Sequence, residues 1–172
     1  MTAVSSPATR DELFAYLASL GIETRTIDHP AVFTVDESTA LHRDIPGGHT
    51  KNLFLKDAKD QIWMIIAEAH TPVDLKAIYK PLGAGRFSFG KPELLMAVLG
   101  VTPGSVTALS LINDRVGRVS VVVDKELMKY DSVKCHPLVN TATTNLKRDD
   151  LFKFIRATGH EPRIAQLTGI AA

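Results

Sequence analysis

Apolar positions recur along the chain at two spacings, and the switches between them mark out its elements. From Thr9, residues Leu13, Phe14, Leu17 and Leu20 keep helical spacing, and Gly21 supplies a stop. Glu23 to Asp28 alternates until Pro30 interrupts it, which predicts a short, partly exposed strand. Thr34-Val35-Asp36-Glu37-Ser38 places acids where the macrodipole favours them and predicts a helix to about Arg43. Leu53-Phe54-Leu55 and Ile62-Trp63-Met64-Ile65-Ile66-Ala67 are short apolar runs around polar Lys56 to Asp60. They predict a hairpin buried on both faces. Val73 to Tyr79 reads as a short helix, and Phe87 with Phe89 as a short strand between glycine-bearing loops. Lys91-Pro92-Glu93 opens a helix through Leu99, with Gly100 as its end. Val106 to Ile112 and Val119 to Val123 read as two strands around Asn113-Asp114-Arg115. Lys147 opens a last helix running to Gly159, and Arg163 to Ala165 suits a terminal strand.

Strands alternating with helices, with hairpins among them, predict an α+β (mixed α/β) sheet protein. No repeat, low-complexity tract or linker divides the chain, so residues 1–172 are expected to form a single domain with a frayed start at 1–8. A chain of 172 residues is long enough for a substantial core.

Composition narrows the function classes. Apolar residues make up 45% and charged residues 23%, ordinary for a globular protein. The net charge of +1 provides no global field for nucleic acid, so any basic surface is local. The single cysteine, Cys135, excludes an internal disulfide framework and fits a reducing, cytoplasmic setting. Residues Met1 to Thr9 carry no apolar signal-peptide core, and no run reaches the roughly 20 apolar residues of a membrane span.

Candidate chemistry centres on Gly47-Gly48-His49-Thr50-Lys51-Asn52-Leu53-Phe54-Leu55. Two glycines after Pro46 suggest a loop, so Lys51 and Asn52 are expected at a loop-to-strand junction on the rim of the sheet. Val101-Thr102-Pro103-Gly104-Ser105-Val106 contains a strong turn pair, and Gly104 lets a backbone approach a ligand. The third stretch is Cys135-His136-Pro137-Leu138-Val139-Asn140-Thr141-Ala142-Thr143-Thr144. Neighbours on a strand face opposite ways, so His136 is poorly placed to activate Cys135. The histidines show no metal-ligand spacing, and no Walker, dinucleotide or nucleophile-elbow motif occurs. No metal or cofactor is therefore expected.

Five ordered segments together resemble one family. They are Thr50-Lys51-Asn52-Leu53-Phe54-Leu55-Lys56-Asp57, Phe87-Ser88-Phe89-Gly90, Gly100 to Val106, Ile112-Asn113-Asp114 and His136 to Thr143. The chain from about Glu12 to Ala165 resembles the YbaK/prolyl-tRNA-synthetase editing-domain superfamily, in its free-standing ProX or PrdX branch. The resemblance implies a largely antiparallel, partly barrel-like sheet flanked by helices. It implies a hydrolase that deacylates mischarged tRNA(Pro), above all alanyl-tRNA(Pro), with tRNA as partner and prolyl-tRNA synthetase as a further one. By the same resemblance Lys51 engages a phosphate of the acceptor end, Asn52 the substrate's amino group or ribose, and His136 the amino-acid pocket. Thr50, Gly100, Thr102, Pro103, Gly104 and Ser105 contact the substrate, with turn amides near Gly104 as oxyanion donors. Cys135 departs from the aromatic residue of many relatives. An activated ester needs only a positioned water and carbonyl polarisation, so no enzyme nucleophile is required. Rival readings are a non-catalytic nucleic-acid module, disfavoured by 6% aromatic content, and a small-molecule amidase or esterase.

Overall fold

In a computed structural model, which describes residues 6–31 and 46–168, one mixed sheet carries helices on its faces. The chain runs α1 (Arg10–Ser19), β1 (Thr24–Asp28), β2 (Gly48–Asp57), β3 (Ile62–Glu68), α2 (Leu75–Ile78), β4 (Phe87–Phe89) and α3 (Pro92–Leu99). It continues through β5 (Val119–Asp124), β6 (Ser132–Cys135), β7 (Ala142–Lys147), α4 (Arg148–Ala157) and β8 (Pro162–Ala165). The helix expected from Thr34 to Arg43 lies outside the described residues.

The strand order is β1-β7-β6-β2-β3-β5-β8, with β4 added beside β2. Four of the seven strand pairings among the described residues are antiparallel and three are parallel. The sheet does not close into a barrel, because β1 and β8 stand at opposite ends of that order.

Helix α1 starts where Thr9 and Glu12 exchange hydrogen bonds: Thr9 Oγ1 accepts from the Glu12 amide and Glu12 Oε1 accepts from the Thr9 amide, both at 3.1 Å. Its buried Leu13 and Leu17 join Leu95, Val98 and Leu99 of α3 and Phe154 and Ile155 of α4 over one face of the sheet. Phe54, Met64, Ile66, Val121 and Val123 meet them there. On the opposite face Leu55, Trp63, Ile65, Ala67 and Val122 pack against Ile78 of α2, Leu82 and Phe87. Strand β3 therefore buries both of its faces, which explains its unbroken apolar run. Each fully buried side chain of this size contributes about 2–3 kcal/mol of burial free energy.

Two expectations change. The segment Val106 to Ile112 is not a strand; Ala108–Asn113 forms 3-10 turns. Thr107 Oγ1 accepts from the Leu109 amide at 3.3 Å, and Ser110 Oγ donates to the Thr107 carbonyl at 2.6 Å. These hydroxyls satisfy the backbone locally, so no neighbouring strand is needed. Strand β2 also begins earlier than its glycines suggest, at Gly48, so Lys51 and Asn52 lie within a strand and not at its mouth. Gly47, at φ +106°, makes the turn instead. A side chain on Gly48 would fall 2.6 Å from the Tyr130 ring, so this glycine permits a close packing contact.

Candidate active site

Strand β2 is paired along one edge with β3, from Thr50 opposite Glu68 to Lys56 opposite Ile62. Among the described residues its other edge is paired only at the ends. Strand β6 takes Gly48 and His49, and β4 takes Leu55 to Asp57. The interval from His49 to Leu55 spans about 20 Å at strand rise. Thr50 closes its start, with Oγ1 donating to the Lys134 carbonyl at 2.6 Å and lying 3.9 Å from Cys135 Sγ. Phe54 closes its end, its carbonyl accepting from the Gly90 amide at 2.9 Å. Asn52 sits midway.

Alternation along β2 separates residues that are adjacent in sequence. Asn52 pairs with Ile66 and shares the face of Phe54 and the first core cluster. Lys51 pairs with Ala67 and shares the face of Leu55 and the second cluster. Its ammonium donates to the Thr71 carbonyl at 2.6 Å. Thr71 lines a cleft of about 390 Å³ with Glu68, His70, Pro72, Glu126, Lys129, Tyr130 and Thr168. Lys51 and Asn52 thus project from opposite faces of the sheet.

His136 follows β6 directly, one residue past Cys135, which the pairing of β6 with β2 sets on the face of Thr50 and Asn52. Its Nδ1 donates to the Ala142 carbonyl at 3.0 Å. A carbonyl oxygen only accepts, so this bond assigns the Nδ1-H tautomer and leaves Nε2 with its lone pair. Burial pushes the His136 pKa below the usual histidine range, the Ala142 bond opposes the shift in part, and nearby His29 adds to it. The ring is therefore neutral at pH 7 and Nε2 can accept a proton or a hydrogen bond. Burial drives the Cys135 thiol up to about 12, against a smaller opposing effect of its Thr50 contact, so it is inert as a nucleophile.

The turn from Gly100 to Ser105 is tied to this site through Thr107, whose Oγ1 donates to the His136 carbonyl at 2.7 Å. Thr102, Pro103 and Gly104 are exposed at its tip and Ser105 is buried. The Ser105 amide donates to the Thr102 carbonyl at 2.9 Å and Pro103 has no N–H, and the amide of exposed Gly104 is one donor at the tip of the turn. Gly100 has a different setting. It ends α3 at φ +66°, and a side chain there would lie 2.8 Å from Pro7 Cβ, so its place is explained by helix capping.

The sequence matches a known domain family. A profile for the aminoacyl-tRNA editing domain covers residues 29–154. This chain belongs to the aminoacyl-tRNA editing-domain family. The prolyl-tRNA synthetase associated domain-containing protein 1 of Danio rerio is 37% identical to it, over 94% of this chain and 89% of that protein. The prolyl-tRNA editing protein ProX of Acetoanaerobium sticklandii is 32% identical, over 92% and 97% respectively. A solved structure presented as a candidate trans-editing enzyme for prolyl tRNA synthetase superposes with a TM-score of 0.70 at 18% identity. It covers 94% of this chain and 98% of that one, and it shows a shared fold.

Two residues of this editing domain escape a sequence reading. His29, just past β1, donates its backbone N–H to the Thr141 carbonyl at 2.9 Å, and its Nε2 meets Thr143 Oγ1 at 2.7 Å. It holds the segment whose Ala142 carbonyl orients His136. Lys134 is 4% exposed, and burial lowers its pKa. Its alternation with Val133 and Cys135 suggests a solvated face, but β2 and β7 flank it on both sides. Among the described residues no helix is long and apolar enough to cross a membrane, and no cluster of three metal-ligating side chains occurs.

Proposed function

We propose that this protein is a trans-editing deacylase that hydrolyses the ester of mischarged tRNA(Pro), with alanyl-tRNA(Pro) as its main substrate. The observation that carries this reading is the match to the editing-domain family, joined to a prolyl-tRNA editing protein at 32% identity over nearly the full length of both chains. The site geometry agrees with it. A neutral imidazole with a bare Nε2, an exposed turn amide at Gly104 and an inert thiol suit water attack on an already activated ester.

Water oxygen bonds to the ester carbon, and the bond from that carbon to the ribose oxygen breaks. The water proton passes to the departing ribose oxygen through Nε2 of His136 or a neighbouring ribose hydroxyl. The products are free alanine and uncharged tRNA. The Gly104 amide faces the charge that develops on the carbonyl oxygen. Lys51 holds an acceptor-end phosphate from the cleft side of β2, exchanging its Thr71 carbonyl for that anion. Thr50, Thr102, Pro103 and Ser105 shape the amino-acid pocket, and Gly100 sets the turn's path. Size exclusion supplies selectivity, because a synthetase pocket sized for proline cannot reject something smaller.

Deacylation of alanyl-, seryl-, cysteinyl- and prolyl-tRNA(Pro), compared by second-order rate, tests this. Alanyl-tRNA should be fastest, seryl-tRNA a partial substrate and prolyl-tRNA spared. Prolyl-tRNA cleaved as fast as alanyl-tRNA removes the size sieve, and no hydrolysis of any ester removes the enzyme.

A further inference from the structure

His136 opens a tight loop that the sheet has to hold in place. Residues 136–141 connect β6 to β7, and Leu138 among them has φ +70°, a left-handed conformation that a bulky side chain rarely adopts. Such a conformation persists where its surroundings fix it. Among the described residues, side chains anchor this loop at both ends. At its start Thr107 Oγ1 donates to the His136 carbonyl at 2.7 Å. At its far end the anchor is His29, whose N–H donates to the Thr141 carbonyl at 2.9 Å and whose Nε2 lies 2.7 Å from Thr143 Oγ1. These two bonds bracket Ala142, the residue whose carbonyl accepts from His136 Nδ1.

The His29 ring is itself oriented. Its Nδ1 lies 2.8 Å from the Pro30 carbonyl, which can only accept, so Nδ1 donates. Nε2 of the neutral ring then accepts from the Thr143 hydroxyl, which is carried by a residue 2% exposed. Strand register decides on which side this happens. Cys135 pairs with Thr144, and Thr144 Oγ1 bonds Thr26 Oγ1 at 2.8 Å. Thr143 therefore lies on the opposite face of β7, behind the face that carries Cys135, Thr50 and Asn52. A side chain bonded there acts on the site through the loop and not by touching the ester.

We propose that His29 is a positioning residue for His136: with Thr143 it clamps residues 141–143 from behind β7, and the Ala142 carbonyl held there fixes the tautomer and direction of His136 Nε2. The kinetic consequence rests on the deacylase reading, whereas the orientation of the ring does not.

The test compares wild type with His29→Ala, His29→Gln and Thr143→Val, each alone and combined with His136→Ala, on alanyl-tRNA(Pro). His29→Ala and Thr143→Val should each lower kcat about 10-fold, the scale of a slightly misplaced group, with KM nearly unchanged. His29→Gln puts an amide oxygen where Nε2 stood and should recover most of the rate. In the His136→Ala background none of the three should cost anything further, since a residue that acts through His136 has nothing left to act on. Losses that multiply in that background, or a raised KM with kcat intact, overturn the proposal. Imidazole 15N spectra at neutral pH give a readout independent of activity. His136 should show a protonated Nδ1 and a bare Nε2 in the wild type, and a mixture of tautomers in His29→Ala and Thr143→Val. Unchanged His136 signals in both folded variants overturn the clamp. A wild type that cleaves no ester overturns the deacylase alone, and the spectra still decide the clamp. If His29→Ala does not fold, Thr143→Val carries the same comparison.

Discussion

Two regions of β2, five residues apart, treat their polar groups in opposite ways. At one end Asp57, 4% exposed, has every carboxylate oxygen spent. Its Oδ1 accepts from the amides of Lys59 and Gln61 at 2.9 Å, and its Oδ2 accepts from Trp63 Nε1 at 3.1 Å and the Gly85 amide at 3.0 Å. Strand β4 seals the same edge. In the middle, Asn52 has, among the described residues, an unpaired side-chain oxygen and a main chain without a ladder partner. The first region stabilises the hairpin and the second leaves bonding capacity for something else. Polar burial alone therefore does not mark a functional residue, whereas unfinished polar burial is a better guide.

The sharpest way to break this comparison is to open the closed end. Asp57→Ala should destabilise the fold by about 3 kcal/mol, since buried donors from Trp63 and Gly85 lose their acceptor. Chemical denaturation measures the loss. Turnover per folded molecule should hold, and a selective collapse of turnover would mean that the two ends are one functional unit.

On the open side, His136→Ala should lower the deacylation rate about 100-fold, the lower range for a positioned acid–base group, with a melting temperature close to that of the wild type. It should also broaden the range of amino acids accepted. Equal losses of stability and rate would make His136 structural. Lys51→Ala should cost a smaller factor, roughly 10-fold, mainly in KM and more at low salt, as expected for a phosphate contact made from the far face. A salt-independent loss confined to kcat would place its ammonium at the reacting ester.

Titration separates the two regions as well. Burial presses the Asp57 pKa upward, but the bonds from Gln61, Gly85, Trp63 and Lys59 outweigh it and hold the carboxyl below its usual range. Its contribution to stability is then complete above the unfolded carboxylate pKa of about 3.9 and disappears as pH falls through the lower folded value. Comparing wild type with Asp57→Asn between neutral pH and pH 2 should show a difference that vanishes at the acid end. His136 is depressed by burial, so the acid limb of kcat/KM should fall below the ordinary histidine value of about 6.5 and be absent from His136→Ala. The smallest effect belongs to Cys135→Ser, which should cost some stability at a buried site and leave turnover nearly intact. Complete loss of turnover in a folded Cys135→Ser protein would restore a covalent route.

Local pattern alone determined much of this molecule. Helical spacing at Leu13 and Leu17, the two apolar runs of the β2–β3 hairpin and Pro92 with Gly100 around α3 are local signals, and each describes an observed element. The family was also readable, because five short segments keep their order. Strand β7 and the 3-10 turns at Ala108–Asn113 were not readable, since period-two alternation does not say whether a neighbouring strand or a nearby hydroxyl will satisfy the backbone. The site shows the same limit. Lys51 and Asn52 are neighbours in sequence, and only their place inside β2, which starts at Gly48, sets them on opposite faces of the sheet. His29 and His136 are far apart in the chain, and only the pairing of β1 with β7 joins them through residues 141–143. Sequence order specifies which groups exist and which way successive residues alternate. Pairing between distant strands decides which edges stay open, and that depends on contacts no local pattern contains.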